Sequence, residues 1–296
     1  VTIKAVKGNS TEELEFDNAV LVWQDAQSLI KTVSGNGAEG VVVVETNAKS
    51  GNAVVAARKG ETIVWSWHIW VPASEITTVG GLFNTPMMDR HLGALTVSGS
   101  NGAVDPLSFG MMYQWGRKDP YVNSAVLGDS SPAAVTGVQA EKAPATITLA
   151  QSIANPTLMG HTDNGDWLTE VDGTLWLDDH KTVYDPCPAG YRVPSSSSNN
   201  FWGDLSAKTG WSFDKTLGWF TVGSPSAVFP LAGYRDDYSV ESIAHNYDRA
   251  LIWSSCTSDL TSKPGYGRGN DIRPGSSISF KDAPKSRCGS VRCVKE

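Results

Sequence analysis

Apolar and polar residues alternate with a two-residue period through the first seventy positions, the spacing of strands with one face buried. Short β-branched or aromatic runs fall at residues 1–6, 19–23, 41–44, 54–57 and 63–71. Gly35-Asn36-Gly37, Ser50-Gly51-Asn52 and Lys59-Gly60-Glu61 separate them and supply the positive-φ positions that tight turns need. This pattern predicts an antiparallel meander. The one competing signal is a short helix over residues 25–33, capped by Asp25 with Leu29, Ile30 and Val33 on one face.

The last predicted strand of this group is crowded with aromatics. Trp65 and Trp67 share a face with Ile69, and His68 shares the other with Trp70, so both faces are expected to be covered. Core packing is the favoured reading of these tryptophans, ahead of a sugar-stacking platform, because aromatics dominate protein cores.

Periodicity then weakens. Residues 72–123 break into turns, and residues 123–182 form a long excursion rich in Ser, Gly, Pro and Thr, the kind of stretch that is usually functional surface or mobile loop. Its Asp163-Asn164-Gly165-Asp166 phrase fails the calcium-loop template, since the sixth place holds Leu168 and the twelfth Thr174. An Asn-Gly turn is the simpler reading. Beyond a rigid, proline-flanked Cys187, the serines at 195–198 and the spacing of Phe201, Trp202 and Leu205 predict a helix over 197–208. Strands are expected again at 218–222, 228–232, 251–254, 277–280 and 291–294, with polar loops at 236–249 and 258–275. No repeat of solenoid or propeller length is visible. The expected division is a β-rich segment, 1–71, integral with or followed by a domain over 72–296.

The 296 residues are 40% hydrophobic, enough for a substantial core, which excludes general disorder. A net charge of -7 with scattered basic residues argues against sequence-independent nucleic-acid binding. No window is long and apolar enough to span a membrane. A start at Val1 without a leader-like segment suits a processed product. The four cysteines, at 187, 256, 288 and 293, lack zinc-ligand spacing and allow three pairings. Cys187–Cys293 with Cys256–Cys288 is the favoured set, and four reduced core cysteines are the alternative. Closing about 105 residues with the first bridge would remove roughly 4.7 kcal/mol of unfolded-state freedom. The bridges imply an oxidising, extracytoplasmic compartment.

Seven phrases stand in order: WSWHIWV, MDRHLGAL, MYQWGRKDP, YDPCPAGYRVP, FPLAGYRD, ALIWSS and GSVRCVKE. Together, over residues 65–296, they resemble the Fibrobacter succinogenes major paralogous domain, in the variant found at the C-terminus of fimbrillin-like surface proteins of Bacteroidetes. The resemblance implies an α+β fold related to C-type lectin-like domains: a helix after the first cysteine, a twisted antiparallel sheet, few short helices and long loops. It maps the family's bridge onto Cys187 and Cys293, with Cys256 and Cys288 as an additional pair. It also places ligand loops at 236–249 and 258–275, where Asp236, Asp237, Tyr238, Asn246, Tyr247, Asp248, Tyr266, Arg268 and Asn270 form the expected binding surface, next to Tyr234. Exposed Tyr and Arg combine apolar area with a hydrogen-bonding tip.

Catalytic signatures are missing from the sequence. There is no Gly-x-Ser-x-Gly and no His-Glu-x-x-His, and Gly265-x-Gly267-x-Gly269 lacks the context of a dinucleotide loop. His68, His91, His161, His180 and His245 are dispersed. The calcium-lectin signatures Glu-Pro-Asn and Trp-Asn-Asp do not occur. The expectation is therefore a non-enzymatic cell-surface module without metal or cofactor, an adhesin or fimbria-associated protein that binds a glycan or a surface protein. A structural pilus subunit is the alternative, and an enzyme on a lectin-like scaffold ranks third.

Overall fold

The computed structural model describes residues 1–80, 86–98, 105–123, 140–162, 165–195, 211–214, 216–222, 227–236, 243–244, 248–273 and 277–296. The first six strands are β1 (Thr2–Lys4), β2 (Asn18–Gln24), β3 (Ile30–Asn36), β4 (Val41–Thr46), β5 (Gly51–Lys59) and β6 (Thr62–Val71). They form two three-stranded antiparallel sheets in the orders β1-β4-β3 and β2-β5-β6. The alternation is therefore real, but long-range pairing of β1 with β4 and of β2 with β5 makes a sandwich out of the expected meander. Leu29, Val42 and Val44 meet Ala53, Val55, Ala57 and Trp65 between the sheets. The competing helix at 25–33 is absent. Ser28 takes a positive φ of 57° and turns the chain into β3, and the carboxamide of Gln24 accepts the Ile30 N–H at 2.8 Å.

β5 is buried along most of its length, which is why residues 53–57 within it are all apolar. Its second face joins the rest of the molecule: Val54 and Trp23 pack into a core with Trp115, Trp167, Trp176 and Trp253. Each of these last four indoles donates to a backbone carbonyl, those of Ser254, Trp115, Tyr184 and Tyr113 respectively, at 2.8–3.0 Å. Large apolar area is buried without stranding a polar group.

Past β6 the strands are short: β7 (Thr78–Val79), β8 (Met87–Met88), β9 (Tyr113–Gln114) and β10 (Glu141–Lys142). Then follow α1 (Leu149–Ala154), β11 (Leu158–Met159), β12 (Tyr191–Arg192), β13 (Ser212–Asp214), β14 (Trp219–Val222) and β15 (Ala227–Pro230). The last seven are β16 (Tyr234–Arg235), β17 (Ile243–Ala244), β18 (Ala250–Thr257), β19 (Tyr266–Arg273), β20 (Ser277–Pro284), β21 (Cys288–Gly289) and β22 (Val294–Lys295). They make sheets of two to four strands; β10 and β11 pair parallel, the other ladders antiparallel. Among the described residues the helical structure is α1, with six residues and a Thr148–Gln151 capping box, and one three-residue 3-10 turn. The expected α+β class is thus corrected: among the described residues the regular secondary structure is almost entirely β, and several small sheets stand in place of one twisted lectin-like sheet. The predicted helix at 197–208 lies outside the described residues.

The loop expected at 258–275 is corrected in part, because residues 266–273 form β19, paired on both sides with β18 and β20. Its Gly and Asn content mimics a loop for a packing reason. A Cβ on Gly267 would sit 2.5 Å from the Trp115 ring, and one on Gly269 would sit 2.7 Å from the Ile252 carbonyl oxygen.

Long irregular segments leave carbonyls without a ladder, and buried cations bind them. Arg292 donates to the carbonyls of Met88 (2.9 Å), Val228 (2.6 Å) and Asp89, and Arg117 to those of Leu158 (2.8 Å), Pro156 (2.9 Å) and Asn155 (3.4 Å). Arg90 reaches Ser74, Glu75 and Leu95, and Arg235 reaches Val122. All four arginines are buried. This is the fold's answer to the rule that buried backbone groups must be hydrogen-bonded.

Cys187 and Cys293 are bridged across 106 residues, with both sulfurs in the tryptophan core, so the predicted bridge is present. The second is not. Cys256 and Cys288 remain thiols: Cys288 is buried in β21, and the Cys256 Sγ lies 2.7 Å from Asp178 Oδ2. No described helix is long and apolar enough to cross a membrane.

Candidate functional site

Among the described residues, β6 has a strand partner, β5, on one side only. Asn52 turns its backbone toward β2, its C=O accepting the Asp25 N–H at 2.8 Å and its own N–H meeting Asp25 Oδ1 at 2.6 Å. Its partner across the next ladder, Trp70, must therefore point its N–H and C=O away from β5, and the two-residue period extends this to His68 and Ser66. Lys118 confirms the direction by donating to the Ser66 carbonyl at 3.2 Å.

This outer edge forms one side of a cleft of about 260 Å³, and the proline-flanked turn at residues 183–189 forms the other. The opposing wall is stiff, since Pro186 and Pro188 fix its backbone and Cys187 is tied to Cys293. Gly8 has a φ of +52° and lies so close to Val183 that a Cβ would meet its carbonyl oxygen at 2.5 Å, so only glycine closes the cleft there.

Within the cleft, Trp65 is fully buried, tilted against Tyr184 at 5.9 Å, with Lys118 Nζ 4.5 Å from its ring centroid. Trp67 and Trp70 are half-buried, and the Trp70 indole donates to the Ala94 carbonyl at 3.1 Å. His68 donates from Nε2 to Asn52 Oδ1 at 2.9 Å, leaving Nδ1 to accept from the Tyr113 hydroxyl at 3.4 Å. Burial pushes its pKa down to about 3, so the ring is neutral.

The charged groups are neutralised in place. Lys118 pairs with both oxygens of Asp119 at 2.8 Å, and Ser66 Oγ donates to the same carboxylate at 2.7 Å. Lys181 donates to Asp185 Oδ1 at 2.7 Å and to the Cys187 carbonyl at 2.6 Å, while Asp185 also accepts the N–H groups of Cys187 and Val193. Such a site offers aromatic faces and backbone edge groups, with the Ser66 hydroxyl held between Lys118 and Asp119. Among the described residues, no three His, Cys, Asp or Glu side chains are grouped to hold a metal ion.

The residues expected to bind ligand fall elsewhere. Tyr266, Arg268 and Asn270 alternate on one face of β19, but Asn270 is fully buried. Arg268 reaches Asp259 at 2.8 Å and Asp282 at 3.6 Å and stacks on Phe280. Asp236 pairs with Arg287 at 3.3 Å, and Asp248 is exposed just before β18. Asp237, Tyr238, Asn246 and Tyr247 lie outside the described residues. The cleft residues Trp67, His68 and Trp70 were visible in the sequence as an aromatic cluster; Lys118 and Lys181 carried no such signal. No family model, no curated protein and no solved structure matches this chain.

Proposed function

We propose that the chain is a non-enzymatic binding module of the cell surface, an adhesin that captures a glycan or an exposed protein segment in the cleft beside β6. The observation that carries this reading is the cleft's lining: half-buried Trp67 and Trp70 flank edge groups that still have hydrogen bonds to give, while each lysine is already matched by a carboxylate. Aromatic faces beside polar donors suit a sugar ring or an extended chain, and neutralised charges suit capture better than chemistry. Residence outside the cytoplasm, on the outer membrane or a fimbria, is part of the same proposal and is supported by the Cys187–Cys293 bridge. Kinship with the paralogous surface domain rests on the seven sequence phrases.

Glycan arrays and pull-downs with the purified chain test the reading. Trp67→Ala and Trp70→Ala should abolish capture, and Arg268→Ala should leave it intact. The reverse pattern would move the site to the β19 surface and sink the cleft assignment.

A structural subunit is the second reading, favoured by the outward N–H and C=O groups of His68 and Trp70, which could pair with a neighbour's strand. Concentration-dependent filament growth without ligand capture would select it.

A further inference from the structure

Two remote segments meet under the Tyr266 ring. The Ser286 N–H donates to the Gly165 carbonyl at 3.0 Å, and the Lys285 N–H donates to the Gly265 carbonyl at 3.1 Å. Gly165 has a φ of +97°, and a Cβ there would lie 2.5 Å from the Tyr266 ring, so the turn is pressed against the aromatic face. The neighbours of Gly165 and Ser286, Asp166 and Lys285, are thereby held side by side.

Their side chains are 4% and 1% exposed, and Lys285 Nζ lies 3.4 Å from Asp166 Oδ2. The amine is positioned by the Asp172 carbonyl at 3.0 Å and by the Trp115 ring, whose centroid is 4.5 Å away. Asp166 Oδ1 accepts the Leu168 N–H at 3.0 Å, but among the described residues the buried Oδ2 accepts no hydrogen bond and meets only the Lys285 amine, at 3.4 Å. This separates the pair from the other buried lysine–aspartate pairs. Asp119 and Asp185 have both oxygens engaged by donors, as stable carboxylates do, whereas Asp166 faces its amine with one oxygen bare. Burial pushes Asp166 up and Lys285 down, each against the pull of its partner, which favours the neutral acid and the neutral amine.

We propose that Asp166 and Lys285 condense into a side-chain amide, a covalent cross-link formed by the folded chain itself. The ammonium first passes a proton to Oδ2. The Nζ lone pair then attacks Cγ and forms the C–N bond; the Cγ–Oδ2 bond breaks, and Oδ2 leaves as water with that proton and one more from the amine. No electron is gained or lost and no co-reactant is needed. Holding the reacting groups at contact distance replaces an encounter in solution, and the aromatic cover keeps out the water that would reverse the step. The amide would fasten the excursion around residue 166 to the C-terminal region already tied by the disulfide, and unlike the disulfide it would survive reductants.

Intact-mass spectrometry of the purified, reduced chain tests this directly. The expected mass is lower than the sequence mass by one water molecule, and a tryptic digest should contain a branched peptide joining Asp166 to Lys285. Lys285→Met and Asp166→Ala should each restore the full mass. A wild-type chain of full sequence mass, with trypsin releasing residues 282–285 as a free peptide, would overturn the proposal; this readout does not depend on whether either variant folds.

Discussion

Replacing Cys187 and Cys293 together by alanine should cost this protein a large part of its stability. The bridge spans 106 residues, and in the chain-entropy treatment a loop of that length takes about 4.8 kcal/mol of freedom from the unfolded chain. Both sulfurs are also buried, at 5% and 0% exposure, so their removal forfeits roughly 1 kcal/mol of apolar burial each. The expected loss is therefore about 5–7 kcal/mol, comparable with the whole margin of many domains. Urea unfolding followed by tryptophan fluorescence would read it, since Trp115, Trp167, Trp176 and Trp253 share a core with the bridge. Cys187 also lines the cleft, so any ligand captured by the wild type should bind the variant more weakly even where it remains folded. A shift below about 1 kcal/mol at unchanged m-value would refute the reasoning: it would mean that the turn at 183–189 and the closing segment hold together without their covalent tie.

Gly267→Ala should destabilise by about 1–3 kcal/mol, because the new methyl would stand 2.5 Å from the Trp115 ring; a melting temperature equal to wild type would contradict the close packing. Lys118→Met strips the buried Asp119 of its cation and should cost about 3–5 kcal/mol by chemical denaturation, with Lys118→Met/Asp119→Leu recovering part of the loss. Stability should also depend on pH through His68 and His91. Burial holds both near 3, so below about 6.5 the unfolded chain takes up protons that the folded one refuses. Their contribution is complete above that value and falls by up to about 1.4 kcal/mol per histidine per pH unit between 6.5 and 3. Asp25 and Asp185, raised by burial, work in the opposite sense, so the comparison is between wild type and His68→Gln: the variant should show the shallower acid slope, and equal slopes would argue against a neutral buried ring.

β3 and β4 were legible because each has a buried and a less buried side, which period-two alternation records residue by residue, and β5, covered on both sides, was legible as a short apolar run. The Cys187–Cys293 bridge was legible from the rigidity around one cysteine and the strand-like setting of the other. β19 was not, since glycines chosen for contact with Trp115 and Ile252 look like glycines chosen for a turn. The class was misjudged because the resemblance implied helical content that the described residues do not contain beyond α1. For the cleft, the sequence displayed one wall: the aromatic cluster on β6 was visible, and reading it as core was right for Trp65 and incomplete for Trp67 and Trp70, which are half-buried. The other wall comes from residues more than a hundred positions downstream, and only the tertiary fold brings it opposite. The loop residues chosen instead have their own tasks, as Arg268 shows by bridging Asp259 and Asp282.

The arginines that gather carbonyls have a consequence for how this protein tolerates change. A carbonyl oxygen is the same whichever side chain its residue carries, so segments gripped through their main chain, such as the one that Arg117 holds at residues 155–158, need little of their own lettering to stay in place. Mutational freedom should be broad along those segments and narrow at the gripping arginines, whose loss would strand several buried oxygens at once. Descendants of such a fold can rewrite much of their irregular length while a few long cationic side chains keep the shape.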